Sequence, residues 1–306
     1  MNKTTISYLT HTWNPLAMRC TKCSPARDNC WHLRWANRHA MRAAYAGDAP
    51  PLLVEHRLEE PLETRKPARI GVQFMGDLFH EDVPEWALFH IFETMTQSPR
   101  HTFFLLTKRP RRLLEFASRA PANEPLLPPN IHIGVTAENQ KMADERIPVL
   151  LQIPAAFYYV SLEPLLSSIY LDMLPQEKGG CPGAYNVLTG EWWPAVGDAD
   201  IEYENRITEL PRLNLAIVGG ETGPGARPMH PDWARGIRDQ CKATGVGFHF
   251  KSHGEWLHES QFTNDAQREK ALSSKRCDAG DGFQFVRVGA KAAGHLLDGV
   301  EHRGLE

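Results

Sequence analysis

Six short apolar runs, each separated from the next by a helical or loop stretch, constrain this chain of 306 residues more than any other feature. Parallel strands covered on both faces read as continuous apolar segments, and the helices between them make the crossovers. The predicted strands are Arg69–Met75, His101–Thr107, Asn130–Thr136, Ala155–Ser161, Leu213–Val218 and Val246–Lys251. The predicted helices are Pro84–Thr96, Arg111–Arg119, Gln140–Gln152 and Pro231–Thr244, the last closed by Gly245. A further helix, Cys30–Ala46, precedes a Pro- and Glu-rich connection over 47–68. The expectation is an α/β fold with about six parallel strands, wound open or as a partial (β/α) barrel, in one domain over 1–306. Residues 167–212 hold Gly179-Gly180, several prolines and Trp192-Trp193 without clean periodicity, and are expected to form an irregular insertion in that domain.

Hydrophobic residues make up 42% and charged residues 23%, which sets the chain apart from disordered sequences. No run approaches the roughly 18 apolar residues of a membrane span, and no apolar signal core opens the chain. The expectation is a cytoplasmic protein with reduced thiols and no membrane partner. Net charge is −3, yet residues 1–45 carry Lys3, Arg19, Lys22, Arg27, Arg34, Arg38 and Arg42 against Asp28, a local net of +6. Lys108-Arg109-Pro110-Arg111-Arg112 is a second basic run. Such charge forms either solvated helix faces or a surface for phosphates or a carboxylate-bearing cofactor.

Cys20, Cys23 and Cys30 crowd into eleven residues, whereas Cys181, Cys241 and Cys277 are scattered. Three clustered thiolates can hold zinc, with His32 or His39 as a fourth ligand, or three corners of an iron–sulfur cluster. Spacing alone does not separate the two.

In folds of this class the carboxyl ends of the strands carry the site. The polar residues there are Gly76-Asp77, Thr107-Lys108-Arg109, Glu138-Asn139, Ser161 with Glu163, Gly219-Gly220-Glu221, and Lys251 with His253. Gly219 to Gly225 lacks the endings of a P-loop or a dinucleotide fingerprint and signals a backbone-lined pocket. His249, Lys251 and His253 alternate with Phe248 and Phe250, a period that puts three basic groups on one strand face. Asp77, His80, Glu81 and Asp82 suggest either a carboxylate metal site or acids ahead of the helix at Pro84. Trp13, Trp31, Trp35, Trp192, Trp193 and Trp256 are either base-stacking platforms or packing residues.

Several segments carry a family resemblance. They are Thr12-Trp13-Asn14-Pro15 with the cysteines, Met75-Gly76-Asp77-Leu78-Phe79-His80, Leu105-Leu106-Thr107-Lys108-Arg109-Pro110, Gly134 to Gln140, Ser161-Leu162-Glu163-Pro164, Val218 to Pro228, Phe250-Lys251 with Gly254-Glu255-Trp256, and the tail from Lys291 to Gly299. On these the chain resembles the phage- and prophage-associated three-cysteine-motif family of uncharacterised proteins. That family is in turn similar to radical S-adenosylmethionine enzymes of the spore photoproduct lyase type. The resemblance implies a [4Fe-4S] cluster on Cys20, Cys23 and Cys30, with S-adenosylmethionine chelated at its bare iron. It implies cofactor contacts at Gly76, Asp77, Thr107, Glu138, Asn139, Gly219, Gly220 and Glu221, and catalytic groups at Asp77, Lys108, Glu163 and Lys251. The implied substrate is a nucleobase or nucleotide in DNA or RNA, with an electron donor and a companion protein as partners, in a bacterial or phage-infected cytoplasm. In the family the cysteines follow C-x6-C-x2-C; here Arg27 holds the middle position and Cys23 lies inside the interval. That departure motivates an alternative, a zinc-bound or metal-free nucleic-acid-binding protein that has lost the cluster. A third reading is a hydrolase using Asp77, Glu163 and Glu221 as acids, bases or metal ligands.

Overall fold

The computed structural model describes residues 1–39, 49–119, 127–195 and 207–305. It is a mixed α/β protein with an eight-stranded, mostly parallel sheet. Its strands are β1 (Asn2–Lys3), β2 (His11–Trp13), β3 (Arg69–Val72), β4 (Thr102–Thr107), β5 (Ile131–Thr136), β6 (Tyr158–Leu162), β7 (Leu215–Gly219) and β8 (Gly247–Ser252), hydrogen-bonded in that order. β1 runs antiparallel to β2, while β2–β3, β3–β4, β4–β5 and β7–β8 are parallel. The last six match the apolar runs to within a few residues at each end. The first two were not expected, because segments of two and three residues are too short to show a period.

Two compact units divide the chain: Met1–Thr136 with Val149–Tyr159, and Ala137–Pro148 with Val160–Glu306. In the first, β4 buries Phe103, Phe104 and Leu105 in succession, as a strand covered on both faces must. Helix α2 (Glu85–Thr96) buries Ala87, Leu88, Ile91, Phe92 and Met95, the spacing of one helical stripe. Each large side chain so buried contributes about 1.5–3 kcal/mol. Helix α3 (Pro110–Ala117) begins on Pro110, whose fixed φ suits a first helical position. Gly134 in β5 leaves room for Tyr159, whose ring would lie 2.6 Å from a Cβ there and whose hydroxyl donates to the Leu105 carbonyl at 2.9 Å. Helix α1 spans Trp31–Arg38, and the predicted continuation over 40–46 lies outside the described residues.

In the second unit, β7 is buried throughout and helix α5 (Pro231–Thr244) ends at Gly245 in the left-handed region, φ 71°. Helix α4 (Gln140–Leu150) precedes it in the chain, begun by Asn139, whose side-chain oxygen accepts from the Met142 N–H at 3.0 Å. The stretch predicted to be irregular carries a three-stranded antiparallel sheet over Leu174–Lys178, Cys181–Asn186 and Glu191–Pro194, while 196–206 lies outside the described residues. Pro175, Pro182, Gly183 and Pro194 stand within its strands and hide the alternation that would have marked them. A second small sheet joins Leu257–His258, Gln284–Val286 and Arg276–Asp278, with helix α6 (Asp265–Leu272) begun by Asn264. Leu257, Ala271, Val286, Val288 and Ala293 form its core.

Candidate functional site

The Thr-Trp-Asn-Pro lead is a brace. Asn14 Oδ1 accepts from the Met75 N–H at 2.8 Å, and Trp13 Nε1 donates to the Arg57 carbonyl at 2.6 Å. Gln73, just past β3, has φ 52°. Its amide accepts from Leu16 N–H at 2.9 Å and donates to the Leu16 carbonyl at 3.1 Å, which fixes a conformation few non-glycine residues adopt. Gly76, at φ 138°, packs where a Cβ would meet the Met18 side chain at 2.8 Å. The backbone entering Asp77 is therefore held from both sides.

Asp77 is 1% exposed and accepts four hydrogen bonds. Thr107 Oγ1 donates at 2.7 Å, and the N–H groups of Phe79 and Lys108 and Nη1 of Arg109 each donate at 3.1 Å. Arg109 extends the network, with Nε donating to Glu81 at 2.7 Å and Nη2 donating to Thr21 Oγ1 at 2.8 Å. Thr21 Oγ1 lies 2.8 Å from His80 Nε2. The carboxyl ends of β3 and β4 and the cysteine loop thus form one polar cluster within the first unit.

Electrostatics follow from that geometry. Burial opposes the charge on Arg109, yet Asp77, then Cys20 and Cys23, then Glu81 hold its pKa above the ordinary value. The guanidinium therefore stands close to two of the three clustered cysteines as well as to its carboxylate partners. Burial, with Arg109, lowers His80 against the opposing pull of Glu81, Asp82 and Asp77, so its imidazole is neutral at pH 7. Glu81 is drawn below its usual value by its own backbone N–H and by Arg109, which outweigh burial.

Cys20 is buried, Cys23 exposed, and Cys30 half-buried at the N-cap of α1. Their sulfurs are not within 4.8 Å of one another as a trio. Zinc, at about 2.3 Å from each sulfur, would need them about 3.8 Å apart. A four-iron cluster takes each thiolate on a different iron and tolerates wider spacing. The donor set of three cysteines, with the Arg109 guanidinium beside two of them, fits an iron–sulfur cluster better than a tetrahedral zinc ion. His39, a candidate fourth zinc ligand, has Nδ1 2.9 Å from the Trp35 carbonyl, and its ring stacks on Trp35 at 4.1 Å. His32, the other, is buried in α1.

The second unit holds the remaining candidates, just past β5 and at the ends of β6, β7 and β8. Glu163 Oε1 accepts from Lys251 Nζ at 2.5 Å, both side chains remaining partly exposed. Glu138 is fully buried, 3.2 Å from Arg146 Nη1. Asn139 begins α4, as described. Glu221 accepts from Arg227 at N, Nε and Nη2, at 2.8, 2.9 and 2.7 Å. A Cβ on Gly219 would meet the Glu163 side chain at 2.9 Å, and one on Gly220 would meet the His253 carbonyl oxygen at 2.0 Å. Glycine at position 220 is thus required by a crossing segment of the protein's own backbone, where the sequence pointed to a ligand.

The predicted basic face of β8 reduces to Lys251. His253 is buried with Nε2 2.8 Å from the Leu296 carbonyl, and burial lowers its pKa to about 4 despite that hydrogen bond. Trp13, Trp192 and Trp256 are buried, with Trp192 and Trp256 donating to the carbonyls of Gln176 and Ala226, whereas Trp31, next to Cys30, is 52% exposed. One cluster escaped sequence reasoning. His230, His258 and Asp281 bring three ligand atoms within 4.8 Å of one another, from positions with no motif spacing.

The fold and these clusters define a mixed α/β protein with charged pairs at its strand ends and a thiol-bearing loop beside two of them. Residues 3–306 match the family described as Protein of unknown function (DUF5131), and the chain belongs to that family. No curated protein and no solved structure matches it. Among the described residues no helix is long and apolar enough to cross a membrane.

Proposed function

We propose that this protein is a radical S-adenosylmethionine enzyme on a partial (β/α) barrel, acting on a nucleobase or nucleotide in DNA or RNA. Cys20, Cys23 and Cys30 would hold a [4Fe-4S] cluster, which when bound supplies an electron and an open iron for S-adenosylmethionine. The observation that carries this reading is the contact between the cysteine loop and the carboxyl ends of β3 and β4, made by Arg109 through Thr21, Glu81 and Asp77. Asp77 and Thr107 orient that contact and are positioning residues. Lys108 N–H and the Gly76 backbone lie at the same strand ends. The Glu163–Lys251 pair can hold or release a proton at Lys251 Nζ. Glu138 and Glu221, which the resemblance assigns to the cofactor, are each paired with an arginine of their own unit. An electron donor and a companion protein complete the proposal. The basic character of residues 1–45 supports an anionic substrate.

The test is anaerobic purification followed by iron and sulfide counting. The expected product is brown, with about four irons and a broad band at about 400 nm. Reductant plus S-adenosylmethionine should release 5′-deoxyadenosine, and Cys30→Ala should abolish both iron and turnover. Arg27, standing where the resembling family has cysteine, favours the second reading of a zinc-bound or metal-free nucleic-acid-binding protein. A colourless protein that binds oligonucleotide, with or without one zinc, would establish it in place of the first.

A further inference from the structure

We propose that His230, His258 and Asp281 form a binding site for a divalent transition-metal ion, separate from the cysteines. Three segments remote in sequence supply the ligands. His230 is the N-cap of α5, His258 ends a strand of the small C-terminal sheet, and Asp281 sits in the turn between two other strands of that sheet. His230 Nε2 and His258 Nε2 are each 3.1 Å from Asp281 Oδ2. Ligand atoms held tetrahedrally at about 2.0–2.1 Å from a metal lie about 3.3 Å apart, so this spacing is close to what coordination needs. Gly280 and Gly282, at φ 85° and 89°, flank Asp281, and its Oδ1 accepts from the Phe283 N–H at 3.1 Å, which aims the carboxylate. The His258 ring packs between Phe283 and Phe285, at 5.3 and 5.2 Å.

Each Nδ1 also has a side-chain acceptor near it. His258 Nδ1 is 2.7 Å from Ser260 Oγ, and His230 Nδ1 is 3.6 Å from Asp232 Oδ2. Without metal, each Nδ1 accepts from a backbone N–H, that of Asp232 or Ser260 at 3.2 Å, which leaves a proton on Nε2 to donate to Asp281. With metal, the Nε2 lone pairs turn to the ion and each ring proton moves to Nδ1, facing the Asp232 carboxylate or the Ser260 hydroxyl, and the hydrogen bonds from the Asp232 and Ser260 N–H groups are given up in exchange. Two imidazoles and one carboxylate suit Zn2+, Co2+ or Ni2+ over Mg2+ or Ca2+, and leave a coordination position for water or an outside ligand.

Metal-stripped full-length protein titrated with Zn2+ by calorimetry, and with Co2+ by electronic absorption, tests the site. One equivalent is expected that Asp281→Asn and His258→Ala each weaken at least about tenfold. Its Co2+ spectrum should show weak visible bands without the near-ultraviolet thiolate band, and should persist in Cys30→Ala. Asp281 lies in an exposed turn, so Asp281→Asn keeps the test valid if His258→Ala fails to fold. Zinc binding unaltered by both variants, or binding only at millimolar zinc, would overturn the proposal and leave a hydrogen-bonded His–Asp cluster.

Discussion

Arg109 directs three nitrogens at partners from different segments: Nε at Glu81, Nη1 at Asp77 and Nη2 at Thr21. Lysine keeps the charge but offers one compact ammonium and cannot serve three directions. Arg109→Lys should lower stability by about 1–3 kcal/mol, and Asp77→Ala, which takes the acceptor away from four donors at once, by about 3–5 kcal/mol. Chemical denaturation measures both, and an Arg109→Lys midpoint equal to wild type would refute the fork. His253 provides a pH test. Its folded pKa, lowered to about 4, lies below the unfolded value of about 6.5, so below pH 6.5 the unfolded chain binds the proton first. Stability should fall as pH drops from about 6.5 to about 4, by about 3 kcal/mol from this group, and level off beneath. His253→Gln should flatten that slope; an unchanged slope would assign it to other groups. None of these partners was legible in the sequence. Asp77 and Thr107 are 30 residues apart, and only folding reveals that one carboxylate serves four donors.

Two glycines separate the effects of space and backbone conformation at the level of elements. Gly220, after β7, faces the His253 carbonyl, where a methyl group would sit 2.0 Å from oxygen. Gly245, after α5, has open space around it but a left-handed φ of 71°. Gly220→Ala should therefore cost about 3 kcal/mol or more, because backbone must move. Gly245→Ala should cost about 1–2 kcal/mol, the penalty of a side chain in that conformation. Thermal denaturation of the two variants should rank them in that order, and the reverse ranking would show that the β7 loop yields easily. The parallel strands were readable because both faces are buried, so an apolar run survives whatever the register. The sheet at 174–194 was not, since its cross-strand pairs set Pro182 against Glu177 and Gly183 against Gln176. The Gly134 vacancy filled by Tyr159 is likewise a contact that no local pattern encodes.

Across the whole molecule, charge is unevenly spread: the net is −3, but the first 45 residues sum to +6. If that region meets nucleic acid as proposed, single-stranded oligonucleotide affinity should fall linearly in log–log form with salt. Removing Lys22, Arg34 and Arg38 should flatten the slope by about 0.7 for each cation that touches phosphate. Fluorescence anisotropy from 50 to 200 mM salt, as orders of magnitude, reads this directly, and an identical slope in the triple variant would exclude those side chains from the interface. The strand–helix order of the large sheet is legible at this scale from the sequence. The His230–His258–Asp281 assembly was not, because gaps of 28 and 23 residues match no metal motif. The chain passes from the first unit to the second after Thr136, returns at Val149 and leaves again after Tyr159. Neither half is an uninterrupted stretch of polypeptide. A ribosome must deliver Tyr159 before the first half has all its parts, and any truncation that keeps that half whole also carries residues 137–148 of the second.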